Sequence, residues 1–113
     1  KIAACHIPLR GHAGSNDGTT LEGYASYSGF GARLWLPTLI SSKVQAILSG
    51  HTHRHRMDAP TEDVPVHQYV GGGPKPSSAT LTIIDADSSA ETPTLEIRIV
   101  DLAGQILHEH RWG

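Results

Sequence analysis

The sequence has little cysteine, few aromatic residues and no long apolar run. Its single cysteine, Cys5, excludes an internal disulfide framework. No apolar stretch approaches the roughly 20 residues that a membrane-spanning helix needs, so we expect no membrane partner. The nine basic residues are scattered along a chain of net charge −2, which gives no reason to expect a nucleic-acid partner. These features leave the cellular compartment open.

The composition of the 113 residues is that of one folded domain. The hydrophobic fraction is 38% and the mean hydropathy is −0.23, both typical of a globular chain. The length fits a single domain rather than two. The chain opens on residues 1–5 (KIAAC), which have the pattern of the middle of a strand. We therefore expect a single domain over 1–113 that is an incomplete portion of a longer one.

The first half of the chain has the pattern of a strand, a helix and a second strand. Residues 1–7 form an apolar run that predicts a buried strand, and residues 44–49 form another. Apolar spacing between them predicts one main helix around 32–43 with Trp35 in the core. Because Pro37 is favoured in a first turn, the helix proper is expected to begin near Leu36. A strand–helix–strand order predicts that the two strands are parallel.

The remaining segments have loop and strand patterns. Residues 9–31 are rich in Gly, Ser and Asn, which predicts a long loop. Further strands, with turn residues and no helix between them, are predicted at 64–70, 78–86, 94–101 and 105–112. The expected fold class is therefore α/β and β-rich, with one main helix and several short strands.

Histidine is the residue present in excess, with eight copies. His6 and His51 each follow an apolar strand, and His53 lies two residues further on. Because the carboxyl ends of parallel strands meet at one edge of a sheet, we expect these histidines to converge there. Imidazole is a preferred ligand of zinc and iron, so this edge is a candidate metal site.

The His-x-His spacing allows three arrangements. On a strand, His51 and His53 share a face and hold one metal ion together. In a tight turn, which Gly50 permits, they diverge toward two ions. In the third arrangement His51, His53 and His55 form an exposed polar strand with only incidental metal affinity. The spacing alone does not choose among them.

Two motifs resemble those of the calcineurin-like metallophosphoesterases, the superfamily that includes purple acid phosphatases. Residues 5–9 (CHIPL) resemble the isolated-histidine motif, and residues 46–53 (AILSGHTH) resemble the final GHxH motif with the strand before it. Both occur in the family's order, and the resemblance covers most of 1–73. It implies the C-terminal half of a β-sandwich of α/β/β/α type, with the later strands in its second sheet.

The resemblance also implies a function, the metal-dependent hydrolysis of phosphate esters. In that family the matching histidines are metal ligands, so His6 and His51 are expected to bind one ion and His53 its partner. Such a centre holds two Fe, Mn or Zn ions that clamp a phosphoryl group and activate a water. Arg10 and His12 follow the first motif and are candidates for contacting the substrate phosphate; a solvated loop is the alternative.

The chain lacks three motifs of that family, D-x-H, G-D-x-x-D and G-N-H-[DE]. They supply the bridging aspartate, other ligands and the histidine that protonates the leaving group, so no catalytic residue is identified here. We expect the activity to belong to the parent protein, with weak metal binding and no turnover by the 113 residues alone. The alternatives are a single-metal site of His6, His51 and His53, and a non-catalytic β-rich module with an incidental histidine patch.

The remaining histidines have patterns that favour structural or surface positions. His67 lies within an apolar strand and is predicted to be structural. His108 and His110 are predicted to lie on the surface, and His55 and Arg56 to face solvent or a neighbouring loop. If a preceding segment normally covers part of the sheet, its exposed edge predicts self-association of the chain.

Overall fold

The computed structural model describes residues 1–10 and 25–113, and side chains from residue 33 onward in the second range. In this part of the chain no helix is long and apolar enough to cross a membrane. One helix and seven strands follow one another in the order β1 (Ile2–Ala4), α1 (Ala25–Ser41), β2 (Ala46–Ser49), β3 (Arg56–Asp58), β4 (His67–Val70), β5 (Thr80–Asp87), β6 (Thr94–Asp101) and β7 (Ile106–Trp112). The fold is therefore β-rich with one helix, as predicted.

The first sheet has the strand order β1-β2-β4-β3. β1 and β2 are parallel, with Ile2 opposite Ala46, which confirms the parallel pairing predicted from the strand–helix–strand order. β4 is parallel to β2, and the short β3 is antiparallel to β4. All three parallel strands therefore present their carboxyl ends at one edge.

The second sheet is an antiparallel meander of β5, β6 and β7. Its three strands confirm those predicted at 78–86, 94–101 and 105–112. The β6–β7 turn is closed by Asp101, whose carboxylate accepts the main-chain N–H groups of Ala103 and Gln105, both at 2.9 Å. Gly104 supplies the left-handed residue of this turn, with φ 85°.

The first sheet packs on both faces. Ala46 lies in a buried cluster with Ile97 of the second sheet, whereas Ile47 lies in a cluster that includes Leu39 of the helix. This division follows from the strand geometry, in which successive side chains point to opposite faces. Full burial of an isoleucine contributes about 1.5–3 kcal/mol, so both clusters stabilise the arrangement substantially.

The helix differs from its prediction at its beginning. It begins at Ala25 rather than near residue 32, so Pro37 lies inside it rather than in its first turn. The glycines of this stretch disfavour a helix, and that propensity is too weak a guide to its start. Residues 11–24 of the predicted loop lie outside the described part of the chain.

The helix also turns a different face to the core than expected. Trp35 is 58% exposed, so its predicted place in the core is wrong. Leu36, Leu39 and Ile40, spaced by three and four residues, pack against the first sheet instead. The Trp35 indole lies next to the segment after β1, where it lines the same groove as His6.

β1 is shorter and more exposed than the buried strand predicted over residues 1–7. Ile2 is 36% exposed, and only Ala3 among the three strand residues is partly buried. Within the described residues β1 pairs on one side only, with β2. The strand is therefore an edge of the sheet in this chain.

Candidate metal centre

The main chain brings the two metallophosphoesterase-like motifs together. The pairing of β1 with β2 continues beyond the strands, where Cys5 N–H donates to the Leu48 carbonyl and Gly50 N–H donates to the His6 carbonyl, both at 3.0 Å. His6 and His51 therefore leave the sheet at the same edge. The crossover pattern of the sequence predicts this placement.

The side chains of this pair meet through their ring nitrogens. His6 Nε2 lies 3.1 Å from His51 Nδ1, and the two rings are nearly perpendicular, at 83°. Two nitrogen ligands of one tetrahedral zinc ion, each at about 2.05 Å, are separated by about 3.3 Å. The spacing of the two nitrogens therefore fits two ligands of a single ion. The exposed His6 leaves the pair accessible from solvent.

The turn that carries the histidines has an unusual backbone. His51 and His53 have φ values of 72° and 60°, in the left-handed region, whereas the prediction assigned the turn's special conformation to Gly50. Left-handed conformations are costly for residues with a Cβ and concentrate at functional sites. Buried Thr52 holds the turn between them, because its hydroxyl accepts from Arg54 N–H at 3.2 Å and donates to the Arg54 carbonyl at 3.0 Å.

The glycine-rich segment after β4 passes directly beneath His53. A Cβ added to Gly73 would lie 3.2 Å from His53 Cβ. A Cβ added to Gly72 would lie only 2.0 Å from the Ser78 carbonyl oxygen. Gly73 therefore lets this segment approach the histidine turn, and Gly72 lets it pack against the main chain of Ser78.

His53 is placed differently from the other two predicted ligands. It is exposed, and in the described part of the chain no three His, Cys, Asp or Glu side chains are grouped closely enough to hold one ion. His53 therefore does not complete the pair formed by His6 and His51. This geometry favours the divergent arrangement over the one in which all three histidines share an ion.

Arg10, a predicted substrate contact, is engaged by the main chain. Its Nη1 donates to the carbonyls of Asp58 and Val66 at 2.9 and 2.8 Å, and its Nη2 donates to that of Ala59 at 2.9 Å. The side chain thus ties the first motif to the connection between β3 and β4. A contact with substrate stays a prediction for Arg10, and His12 lies outside the described residues.

A buried glutamine anchors the same segment, and the sequence analysis missed it. Gln68 is fully buried in β4; its Oε1 accepts the N–H groups of Leu9 and Arg10 at 2.9 and 3.1 Å, and its Nε2 donates to Asp58 at 2.7 Å. Arg56 pairs with Asp58 at 3.0 Å and donates to the Arg10 carbonyl at 2.9 Å, so of its two predicted positions it takes the one against a neighbouring loop. The one sequence signal was a polar amide inside an otherwise apolar strand.

His67 lies between the two sheets rather than at the sheet edge that carries His6 and His51. It is 8% exposed, and its ring centroid lies 4.2 Å from that of His110 and 5.0 Å from that of Trp112. Burial lowers the pKa of His67 to about 4, and the positive charges of His110 and Arg10 act in the same direction. A structural role agrees with the prediction for His67, whereas the predicted surface position of His110 is wrong.

A third histidine pair joins the turn to the last strand. His55 Nδ1 lies 3.0 Å from His108 Nε2. Burial lowers the pKa of His108, and the neighbouring His55 adds to the effect. The predicted surface position of His108 is wrong because alternate residues of β7, which include His108, His110 and Trp112, face the first sheet. Trp112, two residues after His110, was the sequence signal that this face of β7 packs against other residues.

An apolar groove lies between the helix and β1, and His6 is one of its lining residues. It has a volume of ≈ 660 Å³ and lies along β1, with Trp35 and Leu39 on one side and His6 at one end. Within the described residues, β1 has no strand partner on the side away from β2.

Comparison with known proteins leaves the family open. No model of a known protein family matches the chain, and no curated protein sequence matches it either. The relation to metallophosphoesterases therefore depends on the two motifs, at 5–9 and 46–53, and on the geometry that their histidines adopt.

Proposed function

We propose that this chain contributes metal ligands to a two-metal centre that hydrolyses phosphate esters, in a protein of the calcineurin-like metallophosphoesterase type. The observation that carries the proposal is the 3.1 Å separation of His6 Nε2 and His51 Nδ1 at the carboxyl ends of adjacent parallel strands. These two histidines hold one ion, and His53 binds the second.

The chain's own residues orient the ligands before any ion arrives. The bond from Gly50 N–H to the His6 carbonyl sets the distance between the two strand ends, and buried Thr52 holds the turn. Fe, Mn or Zn ions bound there supply Lewis acidity toward the phosphoryl oxygens and lower the pKa of a bound water. Preorganised imidazoles bind the ion without a further cost of ordering their side chains.

The remaining ligands must be carboxylates from another segment. Imidazoles alone do not neutralise two adjacent cations, and the carboxylate-bearing motifs of the family are absent from these 113 residues. The open edge of β1 next to His6 is the place where a strand carrying such ligands would pair. The isolated chain is therefore expected to bind metal weakly and to be inactive.

The test is metal-dependent hydrolysis of p-nitrophenyl phosphate by the parent protein and its variants. Loss of one metal ligand is expected to reduce kcat/KM by about 100-fold or more in His6→Ala and in His51→Asn, where asparagine tolerates the left-handed backbone. His110→Ala, a histidine outside the centre, is the matched control and should retain activity within about threefold. Metal analysis of the parent protein in a His55→Ala background, which removes the separate His55–His108 pair, should give two ions per chain and fewer in the two ligand variants.

Three results would count against the proposal. Turnover by the 113 residues alone would contradict the need for further ligands. One ion per parent chain would favour the single-metal site. Unchanged metal content and fold in His51→Asn would favour a non-catalytic module with an incidental histidine patch.

A further inference from the structure

The turn after β2 carries histidines at alternate positions, and two of them meet histidines from different sheets. His51 meets His6 at the edge of the first sheet, with 3.1 Å between their nitrogens. His55 meets His108 of the second sheet, with 3.0 Å between Nδ1 and Nε2. The second pair shares no residue with the first.

The second pair meets ring nitrogen to ring nitrogen at 3.0 Å, a separation that fits a hydrogen bond and also two ligands of one ion. His55 immediately precedes β3 and is exposed, whereas His108 lies on β7 and is half-buried. The ring planes are tilted by 56° with centroids 5.1 Å apart, so the rings meet through nitrogen atoms rather than by stacking. The His67–His110 rings are also tilted, but their centroids are closer, at 4.2 Å, and their planes are 31° apart.

We propose that His55 and His108 form a second metal site, for a divalent transition ion that prefers nitrogen ligands, such as Zn²⁺, Ni²⁺ or Cu²⁺. Imidazole nitrogens suit these ions, whereas Mg²⁺ and Ca²⁺ require oxygen ligands. Water completes the coordination on the side that the exposed His55 leaves open. The site is independent of the proposed phosphoesterase centre.

An ion at this site would link the two sheets. His55 is joined through Arg56 to β3 of the first sheet, and His108 belongs to β7 of the second. The unfolded chain does not hold these two residues together, so the ion binds the folded state preferentially and stabilises it. Excess Zn²⁺ should therefore raise the melting temperature, by on the order of 10 °C at a hundredfold excess over Kd.

The experiment uses the full chain with His6→Ala, which removes the first pair and leaves the second. Zn²⁺ alone is titrated while calorimetry measures binding and NMR follows the imidazole signals. One Zn²⁺ should bind per chain, with shifts of the His55 and His108 signals. Adding His55→Ala or His108→Ala should weaken binding by about tenfold or more and abolish the melting-temperature increase. His110→Ala, on the same face of β7, is the matched control. It should leave both the Zn²⁺ affinity and the melting-temperature increase unchanged.

Two results would overturn the site. Unperturbed His55 and His108 signals on Zn²⁺ addition would show that the pair is a hydrogen bond only. Equal affinity with and without His55→Ala would place the ion elsewhere, and because His55 is exposed this variant stays informative even if His108→Ala unfolds. Full phosphatase activity in the parent protein's His6→Ala variant would count against the proposed function alone, so the two proposals fail separately.

Discussion

Two histidine pairs in this molecule contain the same side chains in opposite surroundings. His6 and His51 lie beyond the ends of parallel strands and face one another through nitrogens 3.1 Å apart, with His6 exposed. His67 and His110 lie between the sheets with their ring centroids 4.2 Å apart, and His67 is only 8% exposed. The first pair is accessible to an ion from solvent, as the proposed function requires, whereas the His67–His110 pair is packed between the sheets.

The difference teaches that the number of histidines is a poor guide to metal sites. Position relative to the strand ends decides their role, because irregular backbone beyond a strand can aim a side chain at a shared point. A side chain within a strand is restricted to one face and, between two sheets, is surrounded by apolar neighbours. Four predictions test the surroundings of the two pairs through the free energy of unfolding, its pH dependence and self-association.

The largest effect on stability is expected at Gly72, in the glycine-rich segment that follows β4. In Gly72→Ala the new Cβ would lie 2.0 Å from the Ser78 carbonyl oxygen, so the segment must move, at a cost of about 3 kcal/mol. Gly50→Ala is the matched control: its Cβ would meet nothing within 4 Å, so the free energy of unfolding should change by less than about 1 kcal/mol. Urea denaturation measures both. Equal losses would show that the close approach of Gly72 to the Ser78 carbonyl does not require a glycine.

A smaller loss is expected when the anchor of the first motif is removed. Arg10→Ala leaves three main-chain carbonyls without their donor and should lower the free energy of unfolding by roughly 2 kcal/mol. The exposed Arg54→Ala should change it by less than about 0.5 kcal/mol. An Arg10→Ala variant of full stability but reduced phosphatase activity would indicate a substrate contact instead of an anchor.

The buried pair predicts a dependence of stability on pH. The folded-state pKa of His67, about 4, is below its usual value of 6.5. The unfolded chain therefore binds the proton more readily, and stability is fully present above pH 6.5 and is lost as the pH falls toward 4. The groups that face His67 are His110, Trp112 and Tyr69, with Arg10 adding positive charge.

Urea denaturation at several pH values between 7.5 and 4.5 measures this dependence. His67→Gln should flatten it, whereas the exposed His53→Ala should leave it unchanged. If the wild-type free energy of unfolding does not fall over this range, the His67–His110 pair accepts a proton without loss of packing.

The smallest effect is expected at the strand edge beside the exposed pair. Pairing of β1 with another copy predicts weak, concentration-dependent association of the isolated chain. Ile2→Lys places a charge on that edge and should reduce the associated fraction, as measured by light scattering. A wild-type chain that stays monomeric at high concentration would contradict the prediction.

Several parts of the fold could be predicted because their signals are local or periodic. The strand–helix–strand order predicted that β1 and β2 are parallel, and hence that His6 and His51 leave one edge. The strands of the meander follow from alternation and turn residues. The short β3 has only three residues, Arg56–Asp58, too few for a period to be visible. The start of the helix was missed because glycine propensity is a weak signal that the rest of the fold overrides.

The sequence by itself determined which residues could act as ligands and the order of the strands that carry them, since both are properties of neighbouring residues. Only the tertiary structure decided that His51 meets His6, that His55 meets His108, and that His110 is packed against His67. These partners are 43 to 53 residues apart in the chain. The physical reason is that the pairing of β1 with β2 brings His6 to His51, and that the two sheets must bury their apolar faces together, which brings the other imidazoles into contact.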